Sequence, residues 1–161
     1  MSRLDDIERR LAALEEQPPL SAPPSSEDAF WALNTLAKHL PEGEGAVLFT
    51  GIIPVNGQAV SWQYGVPTSE VNRVNWSELA PAFAALGSPV RLTLLQQIAS
   101  GVQDVSELAA TEGIGTTGQV YHHLRALVAA GWLRATNRGH YEIPGNRLVP
   151  LYTCLVAGGD L

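Results

Sequence analysis

The spacing of apolar positions changes along the chain, and each change marks a different kind of element. Leu4, Ile7, Leu11 and Leu14 recur three, four and three residues apart, the a/d seam of two heptads. In that register Arg3 and Arg10 fall at g and Glu8 and Glu15 at e, so each arginine can reach a glutamate of a parallel partner helix. Residues 1–17 are therefore expected to form an oligomerisation helix; the alternative is a helix that packs on its own domain. Two heptads are too short to associate alone, so a second dimer surface is also expected. Leucine at a with isoleucine at d keeps a tetramer open beside the dimer.

Residues 18–26 hold four prolines and read as a semi-extended linker. Ser25 or Ser26 then caps a helix to about Leu40, with Glu27 and Asp28 in its first turn and Pro41 after its end. Phe30, Leu33, Leu36 and Leu40 mark its apolar side. Residues 46–55 and 59–66 are rich in Val, Ile, Phe, Trp and Tyr and meet at Asn56-Gly57, a β-hairpin pattern. Val60, Trp62 and Tyr64 share one strand face. A lone hairpin needs a partner, which the preceding helix or a second subunit could supply. Trp62 and Tyr64 are expected to pack on that helix rather than line an effector pocket. Residues 67–75 read as a connecting loop, completing a helix-plus-hairpin extension over 27–75.

From Trp76 the pattern is helical and segmented. A first helix, Ser77–Leu86, ends at Gly87. Ser88 caps a second, with Pro89 at its first position and Gly101 past its end. Asp104 caps a third that runs through Glu112 and stops at Gly113. After Gly113-Ile114-Gly115, Thr116 or Thr117 caps a fourth, which reaches Ala130. In it Val120, Leu124, Leu127 and Val128 are expected to face the core, leaving Thr117, Gly118, Gln119, Tyr121, His122 and Arg125 exposed. Trp132–Ala135 and His140–Ile143 form a second hairpin that carries Asn137 and Arg138 in its turn. Residues 146–161 read as a C-terminal dimerisation helix. The expected fold class is mainly α with small β, an α+β protein.

Composition narrows the function. With 161 residues, 45% hydrophobic and 16% charged, the chain suits one domain with an appendage. No apolar run spans a bilayer, no signal-peptide core follows Arg3, and Cys154 as the only cysteine excludes an internal disulfide. A cytoplasmic protein without a membrane partner is expected. Arginine outnumbers lysine nine to one, as in GC-rich bacterial genomes. The net charge of −6 argues against a polyanionic partner until its distribution is seen. Residues 1–75 carry five Lys/Arg and ten Asp/Glu, whereas Gly113–Tyr141 carries Arg125, Arg134, Arg138, three histidines and no acid.

Catalysis finds no phosphate loop, nucleophile–base pair or metal cluster, so an enzyme is not expected, and neither is a cofactor. Gly113-Ile114-Gly115 follows no strand and reads as a turn. His122 and His123, adjacent on a helix, point about 100° apart and cannot chelate one metal from one face. His123 is expected in a structural role and His122 exposed. Arg91 suits either a phosphate or a structural salt bridge, and Cys154 a buried apolar position.

The blocks ALGSPVRL (85–92), VSELAATEGIGTTGQVYHHLRALVAAGWL (105–133) and RGHYEI (138–143) resemble, in order and spacing, the ArsR/SmtB-type winged helix-turn-helix regulators. The resemblance covers under half the chain. It implies a winged helix-turn-helix over 76–145 in a homodimer that binds an inverted repeat in double-stranded DNA, usually as a repressor and often released by a small-molecule effector. The fourth helix would enter the major groove and the second hairpin would be the wing. Thr116, Thr117, Gly118, Gln119, Tyr121, His122, Arg125, Arg134, Asn137 and Arg138 are then the expected DNA contacts. The metal-sensing branch carries cysteines where this chain has Ser106, Glu107 and Leu108, or Asp/His pairs in a last helix that here has no histidine, so a member without metal sites is implied. The alternative is a protein–protein scaffold that keeps the fold and binds no DNA.

Overall fold

The computed structural model describes residues 29–159 apart from Asn56. The expected oligomerisation helix with Leu4, Ile7, Leu11 and Leu14, the linker 18–26 and the caps Ser25 and Ser26 lie outside the described residues. The chain divides into two compact units, Met1–Gly43 and Glu44–Leu161. Within the first, α1 spans Trp31–His39, and none of its residues is buried. Pro41 keeps Leu40 extended, which ends the helix, and Lys38 and His39 sit in the last turn, where the dipole favours positive charge.

The second unit opens with a hairpin of β1 (Ala46–Val55) and β2 (Gln58–Pro67), antiparallel from Ala46↔Pro67 to Val55↔Gln58. Gly57, at φ 77°, lies between the two strands, and Asn56 of the expected turn lies outside the described residues. Phe49, Gly51 and Ile53 lie opposite Tyr64, Trp62 and Val60. Ile53 is buried, whereas its neighbour Ile52 is 74% exposed, the alternation of a strand with one covered face. Within this unit the covering partner is the C-terminal helix α7 (Gly145–Gly158). A Cβ on Gly51 would lie 3.0 Å from Val149 Cγ1, so glycine is what lets strand and helix close up.

Residues 68–73, expected as loop, form the short helix α2 (Thr68–Arg73). Its Thr, Ser, Val and Asn have weak helix propensity, so the local pattern is silent there. Long-range bonds anchor its start: the Thr68 N–H donates to Gly45 O at 2.7 Å, and Ser69 N–H to Glu44 Oε1 at 3.4 Å. The expected helix from Ser77 is divided into a 3-10 turn, Trp76–Leu79, and α3 (Ala80–Leu86). Asn75 caps the turn through Ser77 N–H, and Pro81 has no N–H to carry an α-ladder back through it.

Four further elements follow: α4 (Pro89–Ala99), α5 (Val105–Ala109), α6 (Thr117–Ala129) and a hairpin of β3 (Arg134–Ala135) and β4 (Tyr141–Glu142). Ser88 occupies the N-cap position of α4, but its hydroxyl makes no capping bond. α5 stops at Ala109 rather than Glu112. The core centres on Leu94, Leu108, Val120, Leu124, Leu127, Val149 and Leu151, all fully buried. Val128 was expected there but lies at the edge of the apolar arc of α6 and is 37% exposed. Trp132 locks the end of α6 to α3 by donating its indole N–H to Ala82 O at 2.9 Å. The described chain is thus predominantly helical, with two small antiparallel hairpins. Among the described residues no helix is long and apolar enough to cross a membrane.

Candidate nucleic-acid interface

Two glycines of positive φ, Gly113 at 81° and Gly115 at 98°, turn the chain between α5 and α6. They flank Ile114, which the turn drives into the core. The first residues of α6 are then held by a capping box. The Thr116 hydroxyl accepts from Gln119 N–H at 3.4 Å, and Gln119 Oε1 accepts from Thr116 N–H at 2.8 Å. Thr116 also donates its hydroxyl to Gln119 Oε1 at 3.1 Å, so that proton is not free for a phosphate.

Along α6, Val120, Leu124 and Leu127 are buried, while Thr117, Gly118, Gln119, His122 and Arg125 are exposed. Gly118, His122 and Arg125 are spaced four and three apart and form one outward stripe. Tyr121 is a correction: it is half-buried and packs against the core rather than standing on the open face. His123 is also half-buried, and its Nδ1 is buried without a hydrogen-bond partner among the described residues. Burial, then Arg91 and His122, push its imidazole below the usual histidine range.

In the C-terminal hairpin Arg134 stands opposite Glu142 and forms an ion pair with it. Arg134, expected as a DNA contact, thus has its guanidinium paired within the hairpin while its side chain stays 64% exposed. The turn itself closes through His140 N–H to Asn137 O and Thr136 N–H to His140 O, both 3.1 Å. Asn137 and Arg138 are exposed there. The hairpin is also tied to the start of α5. Asp104 and His140 form an isolated antiparallel bridge, flanked by Val105 N–H to Gly139 O at 2.8 Å and Tyr141 N–H to Gln103 O at 3.0 Å. The Ser106 hydroxyl and N–H beside Asp104 hold its carboxyl below the usual carboxylate range, with His140 adding to the effect.

Two other arginines of this half are committed elsewhere. Arg91 has no carboxylate partner among the described residues: it donates to Ala85 O at 2.5 Å and Ala84 O at 2.6 Å, satisfying the terminal carbonyls of α3. Arg147 lies over Trp132, 5.4 Å from the ring centroid. Of the five arginines past residue 75, Arg125 and Arg138 alone have no carboxylate, carbonyl or aromatic partner among the described residues. One stands on α6 and the other at the hairpin tip.

Among the described residues no group of three or more His, Cys, Asp or Glu could hold a metal ion. Cys154 is half-buried against the core, and burial pushes its thiol up, away from the reactive thiolate. Sequence reasoning missed Gln103, Asp104 and His140 as a link between helix and hairpin, since nothing local signals a backbone bridge. It also missed Glu142, one residue beyond the acid-free segment; the cross-strand pairing rule applied to the hairpin would have found it. No family model matches the chain, and neither does any curated protein or solved structure.

Proposed function

We propose that residues 76–145 form a winged helix-turn-helix of ArsR/SmtB type and that the protein is a dimeric, sequence-specific DNA-binding repressor of the bacterial cytoplasm. The observation that carries this reading is the placement of the two unengaged arginines, Arg125 and Arg138, on α6 and the hairpin tip. On this reading α6 lies in the major groove, with Gly118, Gln119 and His122 toward the bases and Arg125 toward a phosphate. Arg138 meets the adjacent backbone.

Dimerisation is supported by apolar side chains left open on α3 and α7. Phe83, Leu155 and Val156 are exposed, and Phe83, Leu92 and Leu155 border one groove. A two-fold dimer would present two copies of α6 to an inverted repeat. The scaffold alternative draws on the Arg134–Glu142 pair, which leaves the proposed interface short of cations.

Electrophoretic titration of the full chain on DNA flanking its own gene, at low and moderate salt, separates the two. The DNA-binding reading expects a specific complex that weakens steeply with salt. A scaffold gives no such complex at either salt.

A further inference from the structure

We propose that Gln119 reads its base through the amide nitrogen alone and therefore selects guanine, not adenine. This rests on α6 being a DNA-recognition helix. A glutamine that recognises adenine must both donate and accept: Nε2 donates to N7, and Oε1 accepts from the N6 amino group. Here Oε1 is already occupied. It takes the Thr116 N–H at 2.8 Å and the Thr116 hydroxyl at 3.1 Å, one for each of its lone pairs.

The orientation of the carboxamide is settled by chemistry. A backbone N–H can only donate, so the atom facing Thr116 N is the oxygen, and the flipped amide would set donor against donor. Gly115 adds a steric constraint. A Cβ there would lie 2.4 Å from Gln119 Oε1 and 3.2 Å from Cδ, so the carboxamide fills the space that glycine leaves. The side chain is thereby fixed in the first turn of an exposed helix, where recognition helices contact base edges.

What remains of Gln119 is an NH₂ group with two protons and no acceptor among the described residues. Guanine shows two adjacent acceptors in the major groove, O6 and N7. Thymine offers one. Adenine sets its own amino donor beside N7, and cytosine presents only a donor. Thus guanine is the base that matches the capped glutamine.

The test is selection of bound duplexes from a randomised double-stranded DNA library by the full chain, its Gln119→Glu and Gln119→Ala variants, with thermal unfolding of each. Glutamate at this position keeps the capping acceptor and replaces the donor by an acceptor. The wild type should enrich guanine at one position of each half-site by about tenfold over adenine. Gln119→Glu should move that preference to cytosine, whose N4 amino group donates, while unfolding at the wild-type temperature. Gln119→Ala should lose the preference. Adenine in the wild type at the position that Gln119→Glu alters would overturn the proposal, as would one base preference shared by all three proteins. A wild type that enriches no sequence overturns the DNA-binding reading itself, and is told apart by that.

Discussion

His140 Nε2 lies 3.6 Å from Asp104 Oδ2, which joins the cap of α5 to the C-terminal hairpin. The same residues pair through their backbones, so residues 103–105 act as a short extra strand beside β4. The hairpin is therefore tied to the start of α5 through both backbone and side chain. His140→Gln should raise amide hydrogen exchange at Val105 and Tyr141, whose N–H groups cross this seam. Asp104→Ala should raise it further, because it also removes the cap accepted from Ser106 N–H. Exchange unchanged at both amides in both variants, read by NMR, would show that the seam holds without the side chains.

Gly115 is under two constraints, a φ of 98° and the Gln119 carboxamide against it. Gly115→Ala should destabilise the protein by about 1–2 kcal/mol through backbone strain and loss of the capping box. Gly118→Ala is the matched control. It lies inside the helix with Thr116 Oγ1 no closer than 4.0 Å, and should stabilise by about 0.5–1 kcal/mol. Denaturant unfolding of the pair checks both signs.

His123 predicts an acid weakness. Its imidazole titrates below the ordinary histidine value of 6.5 in the folded protein, so the unfolded chain takes up a proton first. Stability should hold above that value and decline as pH falls below it, because protonation favours the unfolded state. His123→Gln should flatten this decline. Urea midpoints at pH 7.5 and 5.5 provide the measurement; a wild-type decline that the variant keeps in full would assign it to other groups.

On the proposed DNA interface the arginines should not be equivalent. Arg138→Ala should weaken binding to all sequences and lower the salt slope by about one. Arg134→Ala should matter less, since Glu142 already holds that guanidinium. Glu142→Gln should release it and steepen the salt slope. Titrations at four salt concentrations would expose the opposite result, an Arg134 effect as large as that of Arg138.

Much of this architecture was written in local chemistry. The pairing of β1 with β2 up to Val55 and Gln58, the Asp104 and Thr116 caps, and the alternation of Val120, Leu124 and Leu127 with exposed neighbours each depend on residues a few positions apart. Helical and strand periods report such neighbours directly. Hence the sequence by itself determined the order of the principal helices and hairpins, the inward face of α6 and the acid-free segment around it. The helix Thr68–Arg73 escaped because bonds from Glu44 and Gly45, more than twenty residues away in the chain, anchor its start.

Only the tertiary structure decided which polar groups are free. Arg134, Arg91 and Arg147 look alike in sequence to Arg125 and Arg138, yet a carboxylate, two carbonyls and an indole engage the first three. Tyr121 turns inward, and Gln119 gives its oxygen to Thr116. The hairpin finds its cover on α7, through a glycine that meets Val149. The physical reason is range: periodicity sets which way a side chain points along its own element, but its partner is set by whatever the folded chain brings within hydrogen-bond distance.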